Sequence, residues 1–219
     1  MNEWWGIVLS FVYIFFIILL AEFIRRIAKF RTSITREIVH IGVSLWGIGI
    51  YFLFRTWWGV LVPPLVFSGI NYLSYRYEIF KAMELKGNIG TILYPLSLCI
   101  IFPFFWYIGN KIPAVAGLLV MGFGDGFAGI VGQKFGKHRY KIFNAEKSIE
   151  GSIAMFLFSF LAVFLIFLIF SPSFTWAKII SISLITALAS TLVEAISIKN
   201  FDNLTVPIIA SLIIYLMMK

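Results

Sequence analysis

Long runs of apolar residues, separated by short polar segments, follow one another along the whole chain. A helix needs about 20 mostly apolar residues to cross the hydrocarbon core of a bilayer. About eight runs approach that length, and they cover residues 4–24, 38–54, 57–75, 91–108, 112–132, 151–170, 174–195 and 204–218. The apolar residues within a run are continuous and do not alternate with polar ones, which argues against a β-barrel. The pattern predicts an all-α, polytopic bundle of about eight transmembrane helices.

Composition supports a membrane protein and indicates a single domain. The chain has 219 residues, of which 61% are hydrophobic and 13% are charged. A soluble domain of this length has too little interior to bury so much apolar surface. Because no linker rich in serine or proline interrupts the pattern, residues 1–219 are predicted to form one transmembrane domain. The first apolar run is too long for a cleavable signal peptide, and no basic residue precedes it.

Basic residues are concentrated in alternate connections between the predicted helices. Cytoplasmic loops of membrane proteins carry an excess of lysine and arginine. Fourteen of the 18 lysines and arginines lie in the predicted cytoplasmic loops at residues 25–37, 76–90, 133–150 and 196–203. An even number of spans then places both termini outside. The net charge of +8 is explained by this topology together with the attraction of basic loops to anionic lipid headgroups. It requires no nucleic acid, although part of it also suits a phosphorylated substrate.

Acidic residues are few, and nearly all lie in or next to the predicted cytoplasmic half. Ionisable groups inside a membrane are costly, so they usually face a polar cavity and have a function. Asp125 and Glu194 lie deepest within the apolar runs. Two buried carboxylates close to a basic loop suit Mg²⁺, which takes oxygen ligands and often bridges to substrate phosphates.

The segment GDGFAGIVGQKFG (residues 124–136) places one of these acids among glycines. Its first residues fit a dinucleotide-binding fingerprint, but that motif follows a strand, and here a predicted membrane helix precedes it. Glycines at this spacing also allow helices to pack closely in lipid, which leaves Asp125 unexplained. Helical spacing predicts that one face of a helix carries Asp125, Ala128, Gly129 and Gly132. This face would form a groove, with the carboxylate at one end and Lys137 near the other. Glycines there would allow a phosphate chain to approach the backbone.

The segment EKSIEGS (residues 146–152) begins the sixth predicted helix on the same side of the membrane. Lys147 and Glu150 are three residues apart, so one interpretation is a surface ion pair on a helix face. The alternative is a phosphate site, with Lys147 on the phosphate and Ser148 beside the free N–H groups of the helix start. The two segments flank one basic loop, and this pairing is more specific than either segment alone.

Four blocks of sequence in the same order resemble the dolichol kinase and phytol kinase family. They are TREIVHIG (35–42), GTILYPLSL (90–98), GDGFAGIVGQKFGK with KSIEGS (124–137 and 147–152), and VEAISIKNFDNLTVP (193–207). The resemblance implies an integral membrane enzyme that phosphorylates long-chain isoprenoid alcohols, typically with CTP. Phosphatidate cytidylyltransferases have a similar signature, so an enzyme that makes a CDP-lipid is one alternative. A CTP-dependent diacylglycerol kinase and a lipid-phosphate transporter are others.

Together, the motifs and the resemblance imply a site on the cytoplasmic side that uses CTP and Mg²⁺. The predicted metal ligands are Asp125, Glu194 and Asp202, and the predicted catalytic residues are Asp125, Lys147, Glu150 and Asp202. The predicted nucleotide and phosphate contacts are Gly129, Gly132, Gly136, Lys137, Ser148, Arg36 and His40, and Asn203 is a further predicted substrate contact. The lipid tail is expected between helices, near the prolines Pro63, Pro64 and Pro95. No oligomeric state follows from the sequence.

Overall fold

A computed structural model describes residues 2–29, 31–77, 88–143 and 145–219 of the chain. Each of the eight predicted apolar runs contains one helical rod, and most of the rods begin and end within a few residues of the predicted bounds. The helices are α1 (Glu3–Ala28), α2 (Thr32–Leu53), α3 (Trp57–Tyr77), α4 (Gly90–Tyr107), α5 (Ile112–Leu119), α6 (Gly126–Phe135), α7 (Ile149–Phe170), α8 (Trp176–Ile196) and α9 (Asp202–Met218). A π-helical segment, Val120–Asp125, joins α5 to α6 and makes them one continuous rod.

The described rods have the length and composition of membrane-spanning helices. Five are both long and apolar enough to cross a bilayer, and they comprise α1, α4, the α5–α6 rod, α7 and α8. Helix α9 is apolar but has only 17 residues. Large apolar side chains on the outer surface of the bundle are exposed, among them Trp5, Leu19 and Leu188. The chain is therefore a helical integral membrane protein.

The described residues also contain a β-hairpin, which the all-α prediction missed. Strand β1 (Arg139–Ile142) pairs antiparallel with β2 (Ala145–Ser148). The hairpin lies inside the predicted loop at 133–150, and its turn includes Phe143, which has a left-handed backbone with φ of 49°. Two strands of four residues carry too weak a pattern to stand out beside long apolar helices.

The α5–α6 rod lies at the centre of the bundle, where it contacts α2, α7 and α9. Every residue of α5 from Pro113 to Leu119 is buried. Small residues allow this close packing, because an added Cβ at Gly117 would collide with Ser211 of α9 and one at Gly122 with Ser44 of α2. The central rod ends at the hairpin, so it carries Asp125 towards the basic side of the molecule.

The π-helical segment ends at Asp125 itself. Short π-helical turns inside α-helices are uncommon and often occur at functional sites. The wider turn changes the direction in which the following side chains leave the rod. The predicted cytoplasmic connection at residues 76–90 lies largely outside the described residues, whereas the other three basic connections are described almost completely.

Candidate active site

A polar cavity of about 270 Å³ opens where α2, α6, the hairpin, α7 and α8 meet. Glycine and serine residues form part of its wall, and charged residues form much of the rest. Among the described lining residues, the basic ones are Arg36, Arg139 and Lys147, and the acidic ones are Glu37, Asp125, Glu146 and Glu194. The cavity therefore combines both signs of charge at the end of the bundle that carries the hairpin.

Three carboxylates from distant parts of the sequence meet beside this cavity. Asp125 ends the π-helical segment, Glu194 lies near the end of α8, and Asp202 begins α9. One carboxylate oxygen of each lies within 4.8 Å of the others, which is close enough to share a metal ion. Oxygen Oε2 of Glu194 is buried and has no hydrogen-bond partner among the described residues. Hard oxygen donors with unused capacity fit a magnesium ion.

Lys147 reaches this acidic cluster from strand β2. Its ammonium group donates to Glu194 Oε1 at 2.5 Å and to Asp202 Oδ2 at 3.2 Å, and also to the carbonyl oxygen of Glu194. Burial by itself lowers the pKa of Lys147, but the carboxylates of Glu194 and Asp202 outweigh it, so the pKa is raised above its usual value. Lys147 is therefore charged at neutral pH and partly neutralises the acids around it.

A second charged pair, Arg36 and Glu37, enters the cavity from the start of α2. The two side chains form an ion pair at 2.5 Å, and Glu37 is only 1% exposed. Sequence reasoning proposed Arg36 but missed Glu37. The sequence did contain a signal for Glu37. It is an acid next to Arg36 and lies three residues before His40, which places both on the same side of a helix.

The glycine face of α6 lines the cavity as the helical spacing predicted. Asp125, Ala128, Gly129 and Gly132 all contribute to the wall. An added Cβ at Gly129 would lie 2.8 Å from Cδ of Glu37, so this glycine makes room for the buried acid. Gly132 and Gly136 similarly face Ser148, which ends β2 and caps α7. These glycines therefore permit close packing, and their role in phosphate approach stays a prediction.

The helix-face interpretation of the segment at 146–152 is wrong. Lys147 lies on strand β2 and Glu150 in the first turn of α7, so the two do not form a helical i,i+3 pair. Glu150 instead accepts hydrogen bonds from the backbone N–H of His138. Oε1 of Glu150 also lies 2.7 Å from the ring nitrogen Nδ1 of His138. Ser148 caps α7, because its hydroxyl accepts from the N–H of Gly151 at 3.1 Å.

Several other predicted site residues lie beside the cavity or away from it. Lys137 is exposed and does not contribute to the cavity wall. Asn203 donates from both its backbone and its side chain to Asp202 Oδ1, at 3.0 Å in each case, so it orients a member of the acidic cluster. His40 lines a different cavity, which is mostly apolar, although its ring lies within 4.8 Å of carboxylate oxygens of Glu37 and Asp125.

Comparison with known proteins supports the enzyme class that these features define. The chain is 36% identical over 212 residues to a phytol kinase of Synechocystis, covering 96% of this chain and 90% of that protein. It is 39% identical over 166 residues to a dolichol kinase of Schizosaccharomyces pombe, covering 73% and 31% of the two chains. It is 29% identical over 204 residues to a chloroplastic farnesol kinase of Arabidopsis thaliana, covering 84% of this chain and 65% of that protein. No family model matches the chain, and no solved structure matches it.

A helical membrane bundle with a charged cavity at one end, together with these relatives, defines an integral membrane lipid kinase. The chain belongs to the polyprenol kinase family, which includes the phytol and dolichol kinases.

Proposed function

We propose that this kinase transfers the γ-phosphoryl group of CTP to the hydroxyl group of a membrane isoprenoid alcohol at the cytoplasmic face. The observation that carries the proposal is the meeting of Asp125, Glu194, Asp202 and Lys147 beside one polar cavity. The acceptor class rests on the relatives, which are named for phytol, dolichol and farnesol. CTP as the donor rests on the resemblance of the sequence motifs to this family.

The charges of the cavity support a divalent cation in the reaction. Each basic lining residue already has an acidic partner, since Arg36 pairs with Glu37, Arg139 with Glu146, and Lys147 with Glu194. Among the described residues, the wall of this cavity therefore offers a triphosphate little uncompensated positive charge. Asp125, Glu194 and Asp202 would hold magnesium, which supplies charge neutralisation to the phosphates. Lys147 and Arg36 would then contribute their hydrogen bonds to phosphate oxygens.

Asp125 is the residue best placed to act between donor and acceptor. It belongs to the cluster with Glu194 and Asp202 and also to a second cluster with Glu37 and His40. In the proposed step the acceptor oxygen forms a bond to the γ-phosphorus while the bond from that phosphorus to the β–γ bridging oxygen breaks. The hydroxyl proton passes to a carboxylate, Asp125 or Asp202, and CDP leaves.

The distribution of charge supports an active site at the cytoplasmic face of the cell membrane. The hairpin and the preceding end of α6 carry Lys134, Lys137, Arg139 and Lys141, and the polar cavity opens beside them. The positive-inside tendency favours a cytoplasmic location for this end. With eight spans, both termini would lie on the opposite side.

Label transfer from CTP tests this function directly. The purified protein is incubated with Mg²⁺ and with CTP labelled at either the α- or the γ-phosphorus, in the presence of phytol, farnesol, a dolichol or diacylglycerol. We expect γ-label on an isoprenoid alcohol and release of CDP, with ATP a poorer donor. Transfer of α-label with release of pyrophosphate would identify a cytidylyltransferase instead. Absence of label from every alcohol would contradict the proposal.

A further inference from the structure

A second cavity, of about 380 Å³, separates two pairs of helices. Helix α1 packs on α2, and α3 packs on α4, and the cavity lies between these pairs. Most of its wall is apolar and includes Pro63 and Pro64 of α3 and Pro95 of α4. Phe15 and Leu19 of α1 also line it and are exposed on the outside of the bundle. An apolar ligand in the bilayer could therefore reach the cavity from the side.

One end of this apolar cavity carries three polar atoms without partners. They are Nδ1 of His40, Oγ1 of Thr91 and the hydroxyl oxygen of Tyr94, each buried and without a hydrogen bond to any described residue. The rings of His40 and Tyr94 stack with their centroids 4.6 Å apart. Buried polar groups are nearly always hydrogen-bonded in folded proteins. Three unpaired groups around one apolar space therefore indicate a ligand with a small polar head.

The polar end of the apolar cavity adjoins the candidate active site. Arg36 lines both cavities. A ring nitrogen of His40 lies within 4.8 Å of a carboxylate oxygen of Asp125, which lines the polar cavity. A hydroxyl group held by His40 and Tyr94 would thus lie next to Asp125, one of the two carboxylates that we propose as acceptors of its proton.

We propose that this apolar cavity binds the acceptor lipid, with its hydroxyl group at His40 and Tyr94 and its hydrocarbon chain between the two helix pairs. The inference rests on the proposed function and adds the location and the size limit of the acceptor. The three unpaired polar atoms come from neutral side chains, which suits an alcohol better than a charged phospholipid headgroup. Arg36 at this end is already paired with Glu37.

The far end of the cavity limits the length of the chain. Ile50 of α2 and Phe102 of α4 line it and are buried. Ile50 lies ten residues after His40, which corresponds to about 15 Å along the helix axis. A longer side chain at this end would shorten the space without touching the residues at the polar end. The side chain at position 50 is thus a determinant of which alcohol is accepted.

Replacement of one hydroxyl group tests the polar end. We expect Tyr94→Phe to raise KM for the alcohol about tenfold, because the lost hydrogen bond acts on the acceptor alone, while KM for CTP stays unchanged. Tyr107→Phe is the matched control, since Tyr107 is exposed at the end of the same helix. An equal rise of KM for CTP, or an unchanged KM for the alcohol, would overturn the assignment of Tyr94.

A change of chain-length preference tests the far end. Geraniol, farnesol and phytol are compared as acceptors of increasing length. We expect Ile50→Phe to lower kcat/KM for phytol about tenfold or more relative to geraniol, because methylene groups in a hydrophobic pocket discriminate on this scale. The control is Ile100→Phe on the exposed face of α4. Misfolding would lower kcat/KM for all three alcohols by the same factor and leave their ratios unchanged. Ratios that do not differ between Ile50→Phe and the unsubstituted protein would therefore overturn the inference.

Photo-cross-linking reads out binding without catalysis. A farnesol analogue with a diazirine near its tail is irradiated with the nucleotide-free protein in phosphatidylglycerol vesicles, and the modified peptides are mapped. We expect modification of α2 and α4 at cavity residues, reduced by excess farnesol. Modification confined to the outer surface, or modification of cavity residues that excess farnesol does not reduce, would overturn the inference. A protein that binds the analogue in the cavity but transfers no label from CTP would retain this site while contradicting the proposed kinase reaction.

Discussion

At the scale of single residues, the position of Asp125 distinguishes it from the other acids. Among the described residues, it belongs to two groups of potential metal ligands, one with Glu194 and Asp202 and the other with Glu37 and His40. The first group adjoins Lys147, and the second adjoins the apolar cavity. A carboxylate that borders both is suited to act where the donor phosphate and the acceptor hydroxyl meet.

The first prediction concerns the charge of Asp125. We expect Asp125→Asn to reduce kcat by at least about 100-fold, because it removes a proposed metal ligand and proton acceptor. Steady-state label transfer measures the rate, and size-exclusion chromatography in detergent confirms that the protein folds. Glu22→Gln is the control, since Glu22 pairs with Arg25 and Arg26 on α1 outside both cavities. Near-normal activity of Asp125→Asn would eliminate this role.

At the scale of secondary structure, the central rod and the hairpin place the charged side chains. The π-helical segment turns the rod at Asp125, and the glycines of α6 allow α2 and α7 to approach it. The hairpin then carries Lys147 back over the cavity. The hairpin is tied to α7 in two places. Glu150 of α7 holds His138, which immediately precedes β1, and the hydroxyl of Tyr140 on β1 lies 2.6 Å from Oγ of Ser152.

The second prediction tests the contact between α2 and α6. In Gly129→Ala the new methyl group would press on Glu37, which is held by Arg36. We expect a loss of about 1–3 kcal/mol in the free energy of unfolding, as in other overpacked cores, together with lower activity. Thermal unfolding in detergent measures the first effect. Gly69→Ala on α3 provides the control, because no atom of the described residues lies within 4 Å of its added Cβ. Equal stability of the two variants would contradict this account.

The third prediction separates two roles of Glu150. If Glu150 anchors the hairpin through His138, Glu150→Gln raises KM for CTP several-fold and changes kcat little, because the hairpin is only held less firmly. If Glu150 acts in the chemical step, kcat falls about 100-fold or more. Its hydrogen bonds favour the anchoring role. Steady-state kinetics with varied CTP decides between the two outcomes.

At the scale of the whole molecule, the two cavities form one connected arrangement. The polar cavity lies between the central rod, α2, α8 and the hairpin, and the apolar cavity lies between the two pairs of helices from the first half of the chain. Arg36 borders both. A water-soluble nucleotide and a membrane lipid would thus enter from different directions and meet at Asp125.

The fourth prediction concerns orientation in the membrane. In a Cys99→Ser background, which has no other cysteine, single cysteines are introduced by Asn2→Cys or Lys141→Cys. Intact cells are treated with a membrane-impermeant maleimide. We expect labelling at position 2 without permeabilisation and at position 141 only after it, because the basic hairpin should face the cytoplasm. The reverse result would place the active site on the outer face.

The sequence by itself determined the helical rods and the membrane environment, and it indicated the residues that form the candidate site. Apolar length and continuity are local properties, so residues 112–132 and 151–170 were recognisable as helices without any tertiary contact. Rare acids inside such runs drew attention to Asp125 and Glu194 because an unpaired charge in a membrane is costly. The family motifs then gave the class of reaction.

Only the tertiary structure decided which side chains meet. Lys147 pairs with Glu194, 47 residues away, and with Asp202, 55 residues away, whereas sequence spacing had suggested Glu150. The hairpin and the unpaired polar end of the apolar cavity also escaped prediction. Sequence spacing specifies neighbours only along one regular element. Contacts between elements depend on how the rods pack and on the direction in which each side chain leaves its backbone, and those are properties of the assembled bundle.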